Sequence, residues 1–285
     1  MWEKIIEEVV LESKVNQRPF LADIRYKQDK TQKPVIIFVH GFKGFKDWGH
    51  FNLLADKFAE QGFVFIKFNF SHNGTTIQSP LDFDDLEAFA ENNFTKEIED
   101  ITTVVDYIYS KENVVPTGEF DLNRLFIIGH SRGGGISIVK ASEDNRIKGI
   151  ATWAALSSFK LGTSKESIEE WKNAGVIYAE NARTNQKMPM NFQLFEDYAS
   201  NPERFNPLNA MSQMNIPIIV LHGDMDKTVP VSHAQALANV NDKSTLHIIK
   251  GANHVFGGTH PFNDGKLHQH TLELLNKTLT FFKNL

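Results

Sequence analysis

The chain predicts an α/β protein: a mostly parallel, eight-stranded sheet with helices on both faces and a small insertion after the sixth strand. Three observations carry that expectation. Short apolar runs alternate with segments of helical spacing across short links, the pattern of βαβ units. The run Pro34-Val35-Ile36-Ile37-Phe38-Val39 is almost wholly apolar, which suits a strand covered on both faces. The rhythm breaks once, at Leu156, and resumes at Pro217, so one interrupted domain accounts for 285 residues better than two in tandem.

Residues 5–10 and 19–26 read as two strands joined by a polar turn, an antiparallel edge of the sheet. The third strand, 34–39, ends in His40-Gly41-Phe42-Lys43-Gly44. A helix follows over 51–61, with Phe51, Leu54, Ala55, Phe58 and Ala59 on one face and Gly62 as its stop. Residues 63–70 are the fourth strand, and the acidic, aromatic 82–93 makes a short helix or an excursion. Ile98, Ile101, Thr102, Val105 and Ile108 give 95–111 helical spacing. The fifth strand, 125–129, turns through glycines into a helix that includes 136–141, and 147–153 is the sixth strand. Residues 157–208 read as an inserted lid: helical pieces at 164–174 and 191–199, a hairpin within 178–190, and two Asn-Pro steps near the end. A strand at 217–221, a helix at 232–240, a strand at 245–250 and a helix at 266–283 complete the pattern.

Hydrophobic residues make up 41% of the chain and charged residues 23%, without a low-complexity run, which is the balance of a folded chain rather than a disordered one. A net charge of −5 with scattered Lys and Arg gives nucleic acid no footprint. With no cysteine, thiol catalysis, disulfides and thiolate metal sites are excluded. The first eleven residues carry Glu3, Glu7 and Glu8 and lack a basic stretch before a long apolar one, so they do not read as a signal peptide. No apolar run approaches a membrane span. The expectation is a cytoplasmic protein, monomer or homodimer, with no nucleic-acid or membrane partner.

Ligands of open parallel sheets bind beyond the carboxyl ends of the strands, so polar residues there carry most weight. In Gly129-His130-Ser131-Arg132-Gly133 a strand, a turn and a helix meet. This is the context in which Gly-x-Ser-x-Gly exposes a serine Oγ while the glycines leave room for the helix to cross the strand. The helix start also aims N–H groups at a nearby anion. Two later strand ends give His222-Gly223-Asp224-Met225-Asp226 and Gly251-Ala252-Asn253-His254. The chain order is serine, acid, histidine. Asp224 rivals Asp226, since either could close a turn. His254 competes with His260, His268 and His270. His268 and His270, two apart on an expected helix, should diverge, and Asp264 with His268 reads as a surface pair, so no metal site is expected. No glycine pattern for a dinucleotide or phosphate is present, and no cofactor is expected.

With these pieces in this order, the chain resembles the α/β-hydrolase fold serine hydrolases, nearest the dienelactone-hydrolase-like, cinnamoyl-esterase-like and acylaminoacyl-peptidase-like branch. The likeness rests on 40–44, 129–133, 222–230 and 252–256, and covers most of the chain outside the insertion. It implies the α/β-hydrolase fold and a metal-independent hydrolysis of small or aromatic acyl esters through an acyl-enzyme. Ser131 would be the nucleophile, His254 the base and acid, and Asp226, favoured over Asp224 by the resemblance, the group that orients the imidazole. The resemblance also implies an oxyanion hole from the N–H groups of Phe42 and Arg132. The Arg132 side chain is expected to be structural.

His40, Gly41, His130 and Trp171 are candidate substrate contacts, although His40 also suits burial against its own loop. In the insertion, Phe159, Trp171, Tyr178, Met188, Met190, Phe192 and Phe195 could pack a subdomain, line a pocket over Ser131, or both. His72 is followed by Asn73 where relatives often carry glycine, a departure at the expected pocket rim. The alternatives are a peptidase or amidase for short or acylated peptides and a non-enzymatic scaffold. Such peptidases usually carry an extra N-terminal domain, for which the 33 residues before Pro34 leave no room. A complete Ser-Asp-His set speaks against the scaffold. Cofactor-free haloperoxidases on this fold share the same residues.

Overall fold

The computed structural model describes residues 4–161, 164–181 and 183–285. Glu3, the side chain of Glu7, and positions 162, 163 and 182 of the expected insertion lie outside the described residues. The elements follow the expected alternation: β1 (Lys4–Glu12), β2 (Pro19–Tyr26), β3 (Lys33–Val39), α1 (Phe51–Glu60), β4 (Val64–Phe68), α2 (Leu86–Ala90), α3 (Phe94–Tyr109), β5 (Phe120–His130), α4 (Arg132–Glu143) and β6 (Ile147–Trp153). After β6 come α5 (Lys165–Ala174), β7 (Val176–Asn181), β8 (Gln186–Asn191), α6 (Gln193–Ser200) and α7 (Pro207–Gln213). The chain then returns to the sheet with β9 (Ile218–Gly223), α8 (Ser232–Asn239), β10 (Ser244–Ile249) and α9 (Gln269–Lys283).

Eight strands form one sheet in the order β1-β2-β4-β3-β5-β6-β9-β10, while β7 and β8 pair as a separate antiparallel hairpin. Within the large sheet β2 runs antiparallel to both neighbours, and every other pairing is parallel. All seven residues of β3 are buried, as an apolar run without alternation requires. Val35, Ile37 and Val39 join Ile98, Ile101 and Ile136 in one core layer, and Ile36 and Phe38 join Leu54, Phe58 and Phe282 in the other. Each such side chain contributes about 1.5–3 kcal/mol by leaving water. The central strands are thereby fixed from both faces, and their carboxyl ends become a rigid platform. Among the described residues, no helix is long and apolar enough to cross a membrane.

Three elements depart from the sequence reading. β5 starts at Phe120, not Leu125: its first residues pair Phe120 with Lys33 and Asp121 with Pro34, before a shift of register that separates them from the apolar run 125–128. α7 was hidden in an Asn-Pro step: Asn206 accepts the Asn209 N–H on its side chain and Pro207 takes the first helical position, a helix start rather than a loop. α9 begins at Gln269, three residues late, with His268 as its N-cap. His268 is therefore outside the helix, and its ring meets that of His270 at 4.6 Å instead of diverging from it. Among the described residues no group of three His, Asp or Glu could hold a metal ion.

Candidate active site

β5 ends at His130 and α4 begins at Arg132, so Ser131 alone turns the chain, at φ 56° and ψ −124°. Such a conformation costs a non-glycine residue on the order of 1–3 kcal/mol and persists only where its surroundings enforce it. Here they do. The Ser131 N–H donates to the Trp153 carbonyl (2.8 Å), and the Ser131 carbonyl accepts from Leu156 (3.2 Å). The helix can cross this close only over glycine, since a Cβ on Gly133 would stand 2.2 Å from the His40 carbonyl oxygen.

Two other strand ends deliver the partners. His254, after β10, lies with Nε2 3.0 Å from Ser131 Oγ and Nδ1 2.8 Å from Asp226 Oδ2. A carboxylate only accepts, so Nδ1 carries the proton and Nε2 offers its lone pair to the serine hydroxyl. Asp226, after β9, accepts the N–H groups of Thr228 and Val229 on Oδ1, both at 2.9 Å. His222 Nε2, donating to the Val229 carbonyl (2.8 Å), also lies 3.3 Å from Asp226 Oδ2. Burial alone would raise the Asp226 carboxyl; the hydrogen bonds from His222, His254 and Val229 outweigh it and hold the group below the usual carboxylate range. Asp224, the rival, accepts the Gly251 N–H (2.6 Å) and ties the β9 loop to the turn after β10.

The loop after β3 runs beside the serine: a Cβ on Gly41 would meet Ser131 Cβ at 2.9 Å and Oγ at 3.4 Å. Among the described residues, neither the Phe42 nor the Arg132 N–H has a protein acceptor. Two unpartnered donors thus flank the hydroxyl. His40 props this loop. Its Nε2 accepts the Phe70 N–H (3.3 Å), so Nδ1 carries the proton and donates to the Gly41 carbonyl (2.9 Å). Burial pushes its pKa down to about 4, which keeps the ring neutral near pH 7. The Arg132 guanidinium forks onto Glu97 (2.7 and 3.2 Å) between the rings of Phe42 and Phe94. A cavity of about 710 Å³ opens over the serine.

The BD-FAE family model matches residues 22–240, more than half of the chain. The chain belongs to the BD-FAE family. A Mycoplasma genitalium protein named as an esterase/lipase is 26% identical over 260 residues, covering 84% of this chain and 89% of its own length. Among solved structures, Est1E from Butyrivibrio proteoclasticus with bound ferulic acid has a TM-score of 0.70 at 17% identity, over 97% of this chain and 98% of that one. The Pyrococcus horikoshii acylaminoacyl peptidase has a TM-score of 0.68 at 14% identity, over 99% of this chain and 42% of that longer one. This BD-FAE protein has the α/β-hydrolase fold, in the branch its sequence resembles.

The other expected contacts of the BD-FAE chain divide sharply. Gly41 and His130 line the cavity. His130 donates from Nε2 to the His254 carbonyl (3.0 Å) and so also steadies the loop that carries His254. His40 and Trp171 do not line the cavity. His40 is buried behind the loop, and Trp171 is buried inside the insertion, with Nε1 on the Met190 carbonyl (3.0 Å) and its ring against Phe192 and Phe195. The insertion reaches the cavity with Leu161, Met190 and Leu194 instead, while the aromatic wall comes from Phe42, Trp48 and Phe51. Phe159, Trp171, Phe192 and Phe195 pack inward, as bulk that holds the insertion together and onto the core, while Tyr178 is exposed. Sequence reasoning missed Trp48 and Phe51, although both follow the strand end already marked as a ligand-facing loop. His72 is buried too, between Ser71 (2.8 Å) and Asn16 (3.0 Å), away from the rim.

Proposed function

We propose that this BD-FAE family protein is a serine hydrolase that cleaves carboxylic esters through an acyl-enzyme. The observation that supports it most is the continuous chain Asp226 to His254 to Ser131, at 2.8 and 3.0 Å, on a strained turn flanked by two unpartnered amides. His254 Nε2 takes the hydroxyl proton as Oγ attacks the ester carbonyl, and Asp226 stabilises the imidazolium that forms. The tetrahedral oxyanion is received by the Phe42 and Arg132 N–H groups, each worth about 3 kcal/mol in such a hole. The imidazolium returns the proton to the departing alcohol; water then repeats the sequence to release the acid. Residues 157–208 act as a cap over this cavity. Small or aromatic acyl groups fit the aromatic wall, and ferulic acid bound to the structurally similar Est1E agrees with that choice.

The test is hydrolysis of a panel of p-nitrophenyl and hydroxycinnamoyl esters near neutral pH, with acylated peptides alongside. Wild type is expected to cleave esters, and Ser131→Ala and His254→Ala each to lose on the order of a million-fold in turnover. A wild type that cleaves peptides and no ester moves the reading to the peptidase alternative. An undiminished rate in Ser131→Ala removes the site assignment.

A further inference from the structure

The cavity wall carries three cations and, among the described residues, no carboxylate. Arg132 is neutralised by Glu97. Neither of the other two has a buried carboxylate partner among the described residues. Lys43, directly after Phe42, donates from Nζ to the main-chain carbonyl of Glu180 (2.6 Å), an acceptor without charge. Arg183, in the turn between β7 and β8, stacks over the rings of Phe45 (5.6 Å) and Phe83 (5.9 Å). A carboxylate oxygen of Asp82 lies 3.7 Å from its Nη1, but that side chain is 64% exposed, and a pair so open to water contributes little. Asn181 completes the cluster. It is buried on the same wall, its Oδ1 takes the Arg183 N–H (3.3 Å), and its side-chain nitrogen has no partner among the described residues. Lys43 reaches the residue before Asn181 and Arg183 lies two after it, so the donors gather at one end of the hairpin.

We propose that this end of the cavity is a carboxylate subsite: the ester it serves carries, away from the scissile bond, a carboxylate received by Arg183 with Lys43 and Asn181 as further donors. The inference rests on the esterase reading above and narrows its substrate class. A guanidinium already held over the rings of Phe45 and Phe83 can turn its N–H fork to a carboxylate at little further ordering cost. The apolar wall between the serine and the hairpin takes the rest of the acyl chain or ring. Charge opposite to the wall is what this lining can accept, and a neutral chain leaves the buried Asn181 side-chain nitrogen without a partner.

Two matched pairs of esters distinguish the side on which the carboxylate sits. Monomethyl suberate against methyl octanoate places it on the acyl side; 4-acetoxybenzoate against 4-acetoxybenzamide places it on the leaving group. Acid release at constant pH gives kcat/KM for each, and the charged-to-neutral ratio is compared between wild type and variants, which cancels intrinsic reactivity. In one pair Arg183→Ala is expected to lower the ratio tenfold or more, the range that a hydrogen bond to a charged group supplies. Arg183→Lys should retain part of the ratio and Arg183→Glu should take it below that of the alanine variant. Ratios within twofold of wild type for Arg183→Ala in both pairs would overturn the subsite and leave the esterase intact. Silence of wild type on all four esters, neutral ones included, would instead remove the esterase reading and the subsite with it.

Discussion

Replacing Asp226 with asparagine tests the orientation of the base more sharply than deleting it. The side chain has two fixed demands: one oxygen accepts the Thr228 and Val229 N–H groups, and the other faces His254 Nδ1 at 2.8 Å. Asparagine meets the first only by placing its oxygen on the amides, which turns its NH₂ toward His254 and toward His222 Nε2. Donating to Nδ1 then forces the proton of His254 onto Nε2, where it points at Ser131 Oγ and can no longer accept. The reverse orientation sets NH₂ against two backbone donors and loses about 1–3 kcal/mol for each unsatisfied group. The wrong tautomer therefore dominates. The corresponding change in a serine protease triad lowers kcat about 10⁴-fold, or roughly 5 kcal/mol at 1.36 kcal/mol per decade. The assay is kcat on a p-nitrophenyl ester across pH 6–9, with circular dichroism to show that the fold is kept. A folded Asp226→Asn protein within tenfold of wild type would refute the argument, because the geometry leaves it no competent tautomer.

Three further outcomes follow from the same coordinates. Gly41→Ala sets a Cβ 2.9 Å from that of Ser131, and kcat should fall about a hundredfold, the loss expected of a misplaced reacting group; an unchanged kcat refutes the close approach. Glu97→Ala leaves the Arg132 guanidinium buried and unpaired, at about 3–5 kcal/mol of stability, which urea unfolding would read directly. Stability should also fall on acidification below pH 6.5. Burial holds His40 and His50 down to about 4 and His130 to about 3, so below 6.5 the unfolded chain takes up protons that the folded protein refuses. Asp100 opposes this: burial raises it to about 7, so between about 4 and 7 the folded protein keeps a proton that the unfolded chain has lost. The urea midpoint of wild type should drop from pH 6.5 to 4.5, and that of Asp100→Asn more steeply; a flat wild-type profile would contradict the histidine assignments, and a variant profile no steeper than wild type that of Asp100.

Local signals carried much of this protein. The apolar run 34–39, the helical spacing of 51–61 and the glycines around Ser131 each specify a conformation through their neighbours in the chain, and each stands where expected. The same local logic, misread, hid α7 behind Asn206-Pro207 and placed His268 inside a helix that it caps. Strand ends were legible because the sheet topology sends their loops to one side.

The roles within that side were not legible from residue type. Asp224 and Asp226 are the same residue two positions apart, and only the β9 and β10 loops in space decide that one holds the Gly251 N–H while the other meets His254. Trp171 and Trp48 are equally apolar on paper, yet one fills the insertion and the other lines the cavity. Arg132 and Arg183 carry the same charge, and it is Glu97, brought from α3, that silences the first. The sequence by itself thus determined the strands, the turn and the residue types at the sheet's edge, since these depend on contacts within a few positions. Tertiary structure alone decided which side chain is buried, paired or free, because that depends on partners far along the chain.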